Sequence, residues 1–199
     1  MKESFLTELA RPQPNPGGGA AAAYGAGVAL ALLTKVVKLE LGRSRHSDSD
    51  KSFWEERLSQ VRRLEEDLKQ LRDADVRAYM NLARARRKEG WSLAEALEEA
   101  IDCPRRIMAA ALQGLREVVA AGEKCRSHLI ADLHVAGEFL GAALRGAHYI
   151  AAANLPLLAL GELRREHAAR LKELLEQADL TLREVRKLLS DRGSAPGGR

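Results

Sequence analysis

The run Pro14-Asn15-Pro16-Gly17-Gly18-Gly19, followed at once by Ala20-Ala21-Ala22-Ala23-Tyr24-Gly25-Ala26-Gly27, constrains this chain more than any other feature. Two prolines fix φ and remove two backbone donors. Three glycines admit conformations that side chains forbid and let another group approach the main chain closely. A helix with almost no side chains is expected to start there, so its neighbours must lie close to its backbone. Its first turn carries N–H groups without helical partners. Such a place suits an anionic or heteroaromatic ligand. The same residues also read as an ordinary loop before a tightly packed helix.

A chain of 199 residues fits one domain and can bury a real core. Charged residues make up 30% and hydrophobic ones 46%, the balance of a soluble globular protein. With three Phe, two Trp and three Tyr, the core must be mostly Leu, Ala, Val and Ile. Cys103 and Cys125 fit no paired or metal-binding spacing, which points to a reducing cytoplasm. The first residues lack the continuous apolar stretch of a signal peptide. The apolar stretch 19–33 is short for a membrane span, and Lys35, Lys38 and Glu40 follow it, so it reads as a buried helix. The net charge of +4 mildly favours an anionic ligand, but it is spread over solvated helix faces. No basic-aromatic stretch suggests a nucleic-acid surface.

No stretch shows the alternation of a half-buried strand, so an all-α fold is expected, a bundle of five to six helices with several long and antiparallel. The pattern predicts a short helix over 4–10 and a second over 19–41. A polar loop covers 42–50. A third helix over 52–88 has the apolar stripe Leu58, Val61, Leu64, Leu68 and Leu71, and Gly90 ends it. Ser92-Leu93-Ala94-Glu95 looks like a capping box opening the fourth helix. Cys103-Pro104 is expected to break that helix, and the next segment runs to 121 and ends at Gly122. A fifth helix covers 127–152. Asn154-Leu155-Pro156 interrupts it before a final helix to about Leu189. The domain is drawn over 1–191, with 192–199 as a disordered tail.

The order of these features resembles the cyclodeaminase/cyclohydrolase family of folate enzymes. That family includes the cyclodeaminase part of formiminotransferase-cyclodeaminase and stand-alone methenyltetrahydrofolate cyclohydrolases. The resemblance covers roughly 4–189. Its strongest element is Pro14-Asn15-Pro16-Gly17-Gly18-Gly19-Ala20. Asp75-Val76-Arg77-Ala78-Tyr79, Ala100 with Pro104, Ala131-Asp132 and Asn154-Leu155 follow in the family's order. The chain departs from the family where Lys38-Leu39-Glu40 replaces asparagine-x-threonine, where Lys124-Cys125-Arg126-Ser127-His128 replaces an asparagine-bearing stretch, and where Ala131 replaces serine.

The resemblance implies tetrahydrofolate one-carbon interconversion: hydrolysis of 5,10-methenyltetrahydrofolate to the 10-formyl form. Cyclodeamination of 5-formiminotetrahydrofolate is the alternative. A non-catalytic helical protein that kept the fold and a ligand pocket is the rival from another class, favoured by the altered polar positions. The chemistry requires a group that accepts a proton from water and returns one to a leaving nitrogen, and one carboxylate on a rigid helix meets that need without a metal. Asp132 is the expected catalytic residue, with His128 four residues earlier tuning or relaying its proton. Asp132 also reads as an exposed helix residue or a buried hydrogen-bond partner.

The expected substrate-binding set is Pro16, Gly17, Gly18, Gly19, Lys38, Asp75, Tyr79 and Asn154. Asp75 and Tyr79 share a helix face and suit a pterin or, equally, a structural polar pair. Asn154 suits ligand binding or capping of the broken helix. Lys35 and Lys38 suit the glutamate tail of a polyglutamylated folate, or plain solvation of the helix. Cys125 with His128 makes half a zinc spacing with no second half, and His134 with Glu138 reads as a solvated pair rather than a metal site. His148 reads as a packed or surface side chain. The expectation is thus no metal, no cofactor beyond the folate substrate, no nucleic-acid or membrane partner, a cytoplasmic location and a homodimer.

Overall fold

A computed structural model describes residues 4–43, 47–87 and 92–194. Its elements are α1 (Phe5–Leu9), α2 (Gly18–Leu41), α3 (Asp48–Arg86), α4 (Leu93–Lys124), α5 (Ile130–Asn154) and α6 (Gly161–Ser194). Short 3-10 turns at Ser127–Leu129 and Leu155–Leu157 flank α5. The described residues contain no strand, as the sequence leads one to expect.

Side-chain contacts give the topology. Ala20 meets Asp75 and Thr34 meets Glu65, so α2 and α3 run antiparallel. Leu71 meets Cys103 and Arg57 meets Glu117, so α3 and α4 do the same. Ala100 meets Asn154, reversing α5 on α4. Gly18 lies against Ile150 and Lys35 against Asp132, which closes the ring from α5 back to α2. The result is a four-helix bundle, α2-α3-α4-α5, with α6 laid in the outer groove of α4 and α5. Glu138 and Asp179 pair with Arg186 and Arg145 across that seam.

The core is aliphatic. Leu30, Leu33, Leu68, Ile107, Met108, Leu115, Leu133, Leu140 and Leu144 fill its axis. Close approach depends on small residues. Ala20, Ala23, Ala26 and Ala29 of α2 are buried, and a Cβ on Gly114 would press on Leu140 and Leu30. The most apolar window of α2 has a mean hydropathy of 1.7 and is 50% buried in the bundle, against α3, α4 and α5. Val61, Leu64, Leu68 and Leu71 of the expected α3 stripe are buried, and Leu58 packs at its edge.

Several boundaries differ from the sequence reading. Helix α3 starts at Asp48 rather than at 52, because the Ser47 hydroxyl accepts from the Asp50 N–H and two aspartates occupy the first turn. Ser92 caps α4 in the expected way, accepting from the Glu95 N–H. The break expected at Pro104 is absent, and α4 runs through it. Proline cannot donate to the carbonyl of Ala100, but Asn154 Nδ2 donates to that carbonyl at 3.1 Å. Gly122 does not stop the helix either. It sits under Leu189, and its carbonyl and that of Cys125 accept from Arg192 of α6. Helix α6 continues through Ser194, past the expected start of the tail at 192, while 195–199 lie outside the described residues. Gly90 also lies outside them.

Candidate functional site

The Asn15–Pro16 peptide is cis, and the chain then enters α2 with Gly17 as N-cap. Gly17 has no side chain to satisfy the first turn, and none of its neighbours supplies one. The missing cap comes from α3. Asp75 Oδ2 accepts from the Ala20 N–H at 2.9 Å. A carboxylate at a helix N-terminus gains from both the hydrogen bond and the dipole. Burial nevertheless raises the Asp75 pKa above its ordinary 3.8, with the Ala20 hydrogen bond opposing the shift.

Around this acid lies a cleft of about 310 Å³, at the lower end of the range for small-molecule sites. Pro14, Asn15 and Gly17–Gly19 form one wall. Asp75, Ala78, Tyr79, Leu82 and Arg86 line the cleft from one face of α3. Ala100, Ile150 and Asn154 make the floor. The cleft therefore offers a perturbed carboxylate, an amide, an exposed phenol, bare backbone and a guanidinium. Arg86 forms no ion pair with any described residue, so its charge is available to an anionic group.

Six of the expected binding residues meet here: Gly17, Gly18, Gly19, Asp75, Tyr79 and Asn154. Pro16 is buried behind the loop, bordering a separate groove with Phe5, Glu8 and Arg72. Lys38 does not reach the cleft. At 1.5 Å of rise per residue it stands about 30 Å along α2 from Gly18. Nor do Asp132 and His128 reach it within one chain. Asp132 is held by Lys35 at 2.8 Å, about 25 Å from the glycine loop by the same rise.

His128 is not on a helix face shared with Asp132. It lies in the 3-10 turn before α5, exposed, because the regular helix begins only at Ile130. The Glu138 carboxylate is committed to Arg186 at 2.6 and 2.7 Å rather than to His134. His148 packs edge-on to Tyr149. Both cysteines are buried, and burial pushes their thiols up to about 12 for Cys103 and about 11 for Cys125, so neither is a nucleophile near neutral pH. Among the described residues, no three His, Cys, Asp or Glu side chains cluster as a metal site would require.

The sequence reading missed Arg86, Leu82 and Ile150. The first two had a signal, since they follow Asp75 at the spacings of its own helix face. Ile150 had none, because only the antiparallel register of α2 and α5 brings it to Gly18.

Comparison with known proteins agrees with this fold. No curated protein matches the sequence. Among solved structures, the formiminotetrahydrofolate cyclodeaminase of Thermotoga maritima superposes with a TM-score of 0.89 over 96% of each chain, at 20% identity. That likeness establishes the fold. The family described as formiminotransferase-cyclodeaminase matches residues 1–177. That match spans most of the chain, and the chain belongs to the formiminotransferase-cyclodeaminase family.

Proposed function

We propose that the cleft binds a tetrahydrofolate derivative and hydrolyses 5,10-methenyltetrahydrofolate to 10-formyltetrahydrofolate, with Asp75 as the proton-transfer group. The observation that carries this reading is the meeting of the glycine loop, Asp75 and Asn154 in one cleft. The methenyl carbon is part of a cationic amidinium. A carboxylate in a partly desolvated site stabilises that cation and orients water against it. Water adds to the carbon and Asp75 takes its proton. The carbon–N5 bond then breaks as Asp75 returns a proton to N5, and the hydroxyl proton leaves as the formyl carbonyl forms. A raised pKa suits a group that must both accept and return a proton. Arg86 would meet the carboxylates of the folate tail at the cleft edge, the part first expected of Lys38.

Cyclodeamination of 5-formiminotetrahydrofolate is the second reading, favoured by the Thermotoga maritima structure. There N10 attacks the formimino carbon, Asp75 passes the N10 proton to the formimino nitrogen, and one further proton lets that nitrogen leave as ammonia while the methenyl cation forms. On this reading the protein is soluble and cytoplasmic and needs no cofactor beyond the folate. It pairs as a homodimer, because α2 and α5 leave Val28, Val135, Phe139 and Tyr149 exposed on neighbouring helices.

The decisive experiment supplies both folates to the unmutated protein and follows the methenyl chromophore. Its absorbance falls on hydrolysis and rises on cyclodeamination. Silence with both substrates rejects the enzyme reading.

A further inference from the structure

Pro104 lies inside α4 and has no N–H, so the carbonyl four residues back, that of Ala100, has no helical donor. Ala100 is 6% exposed, and an orphaned carbonyl there is costly. Asn154, fifty-four positions away, supplies the donor at 3.1 Å and gives a second hydrogen bond to the Ile150 carbonyl at 3.3 Å. A side-chain amide has two N–H donors and one acceptor oxygen. Both donors are thus committed to carbonyls, which also fixes which end of the amide is which. Oδ1 is the polar atom left to offer the cleft that Asn154 lines.

We infer that Pro104 and Asn154 work as one device, in which the donor missing at Pro104 locks the Asn154 amide and presents Oδ1 as a fixed acceptor for a ligand N–H. Pro104 is a positioning residue that acts through Asn154. The inference rests on the reading of the cleft as a folate site, since a tetrahydropterin ring carries N–H donors along its edge. A locked acceptor has no ordering cost on binding, and a site built around it rejects a ligand edge that also accepts. An unlocked amide would turn either end to the ligand and lose both advantages.

Pro104→Ala separates this device from a purely structural one. It restores the helical donor to Ala100 and releases Asn154. The unfolding midpoint should hold or rise, since alanine is the better helix former. The Kd for 5-formyltetrahydrofolate, measured by calorimetry, should weaken about tenfold, the scale of one modest hydrogen bond. Turnover at saturation should stay near that of the parent. Asn154→Ala should lower both the midpoint and the affinity. In the Pro104→Ala background the same change should cost far less stability and little further affinity. Additive stability losses in this cycle would overturn the lock. Coupled losses with an unchanged Kd would overturn the acceptor role. A parent protein that binds no folate would reject the folate reading and the acceptor role together, while the stability cycle still decides the lock.

Discussion

Gly19 has no room for a side chain because the Asp75 carboxylate lies against its Cα, and a Cβ built there would overlap that carboxylate. The same carboxylate holds the Ala20 N–H at 2.9 Å. One acid therefore caps α2 from α3 and faces the cleft, and the glycine is what lets it come so near. The neighbouring glycines are less constrained. A Cβ on Gly17 would lie 3.7 Å from the Pro14 carbonyl, and one on Gly18 would meet only the flexible end of Ile150, at 2.9 Å.

Gly19→Ala should therefore push Asp75 off the helix end and destabilise the protein by about 1–3 kcal/mol, the scale of overpacking. Gly17→Ala should stay within about 1 kcal/mol of the parent, because its extended backbone suits any residue. Denaturant unfolding measures both. Equal costs for the two substitutions would contradict the close approach at Gly19.

Asp75→Asn keeps an oxygen for the Ala20 N–H but removes the proton acceptor. Turnover should fall at least roughly a hundredfold, the usual scale for a general acid-base group. Asp132→Asn breaks only a half-exposed ion pair with Lys35, so stability should change by less than about 1 kcal/mol. Its turnover should stay within about twofold of the parent, because its partner Lys35 stands about 25 Å along α2 from the glycine loop. A large loss with Asp132→Asn and none with Asp75→Asn would reverse the assignment.

The raised pKa of Asp75 has a defined sign in stability. Below about 3.8 the carboxyl is protonated in both states and contributes no pH dependence. Above that value the unfolded chain releases its proton before the native state does. The parent should then lose stability relative to Asp75→Asn as pH rises through the native pKa, and the difference should level off beyond it. Paired denaturant titrations across the acid range measure it. A difference that instead grew in the parent's favour with rising pH would show that the native pKa is lowered.

The exposed apolar face of α2 and α5 predicts dimers. Light scattering at micromolar concentration should give twice the chain mass, and Phe139→Glu should shift it to that of the monomer with helical content unchanged. A monomeric parent would reject the dimer.

Much of this fold was legible in the chain itself. The spacing of Val61, Leu64, Leu68 and Leu71, the Ser92 cap and the small residues of α2 are local signals, and local geometry obeyed them. The glycine loop marks the cleft, and Asp75, Tyr79 and Asn154, expected beside it from the sequence, line it. What the sequence could not tell was that Asp132 stands apart from that cleft. Asp75 and Asp132 are both single carboxylates on helices, and nothing local distinguishes them. Antiparallel packing decides it: α3 carries Asp75 to the N-terminus of α2, and α5 carries Asp132 to Lys35 near the other end. Pro104 makes the same point. Its local chemistry reads as a break, because a missing donor costs a helix its hydrogen bond. Asn154 restores that bond from another helix, and only the register of α5 on α4 puts it there. Local propensity determined the helices. The long-range pairing of their faces decided which side chains meet, and so which of them line the cleft.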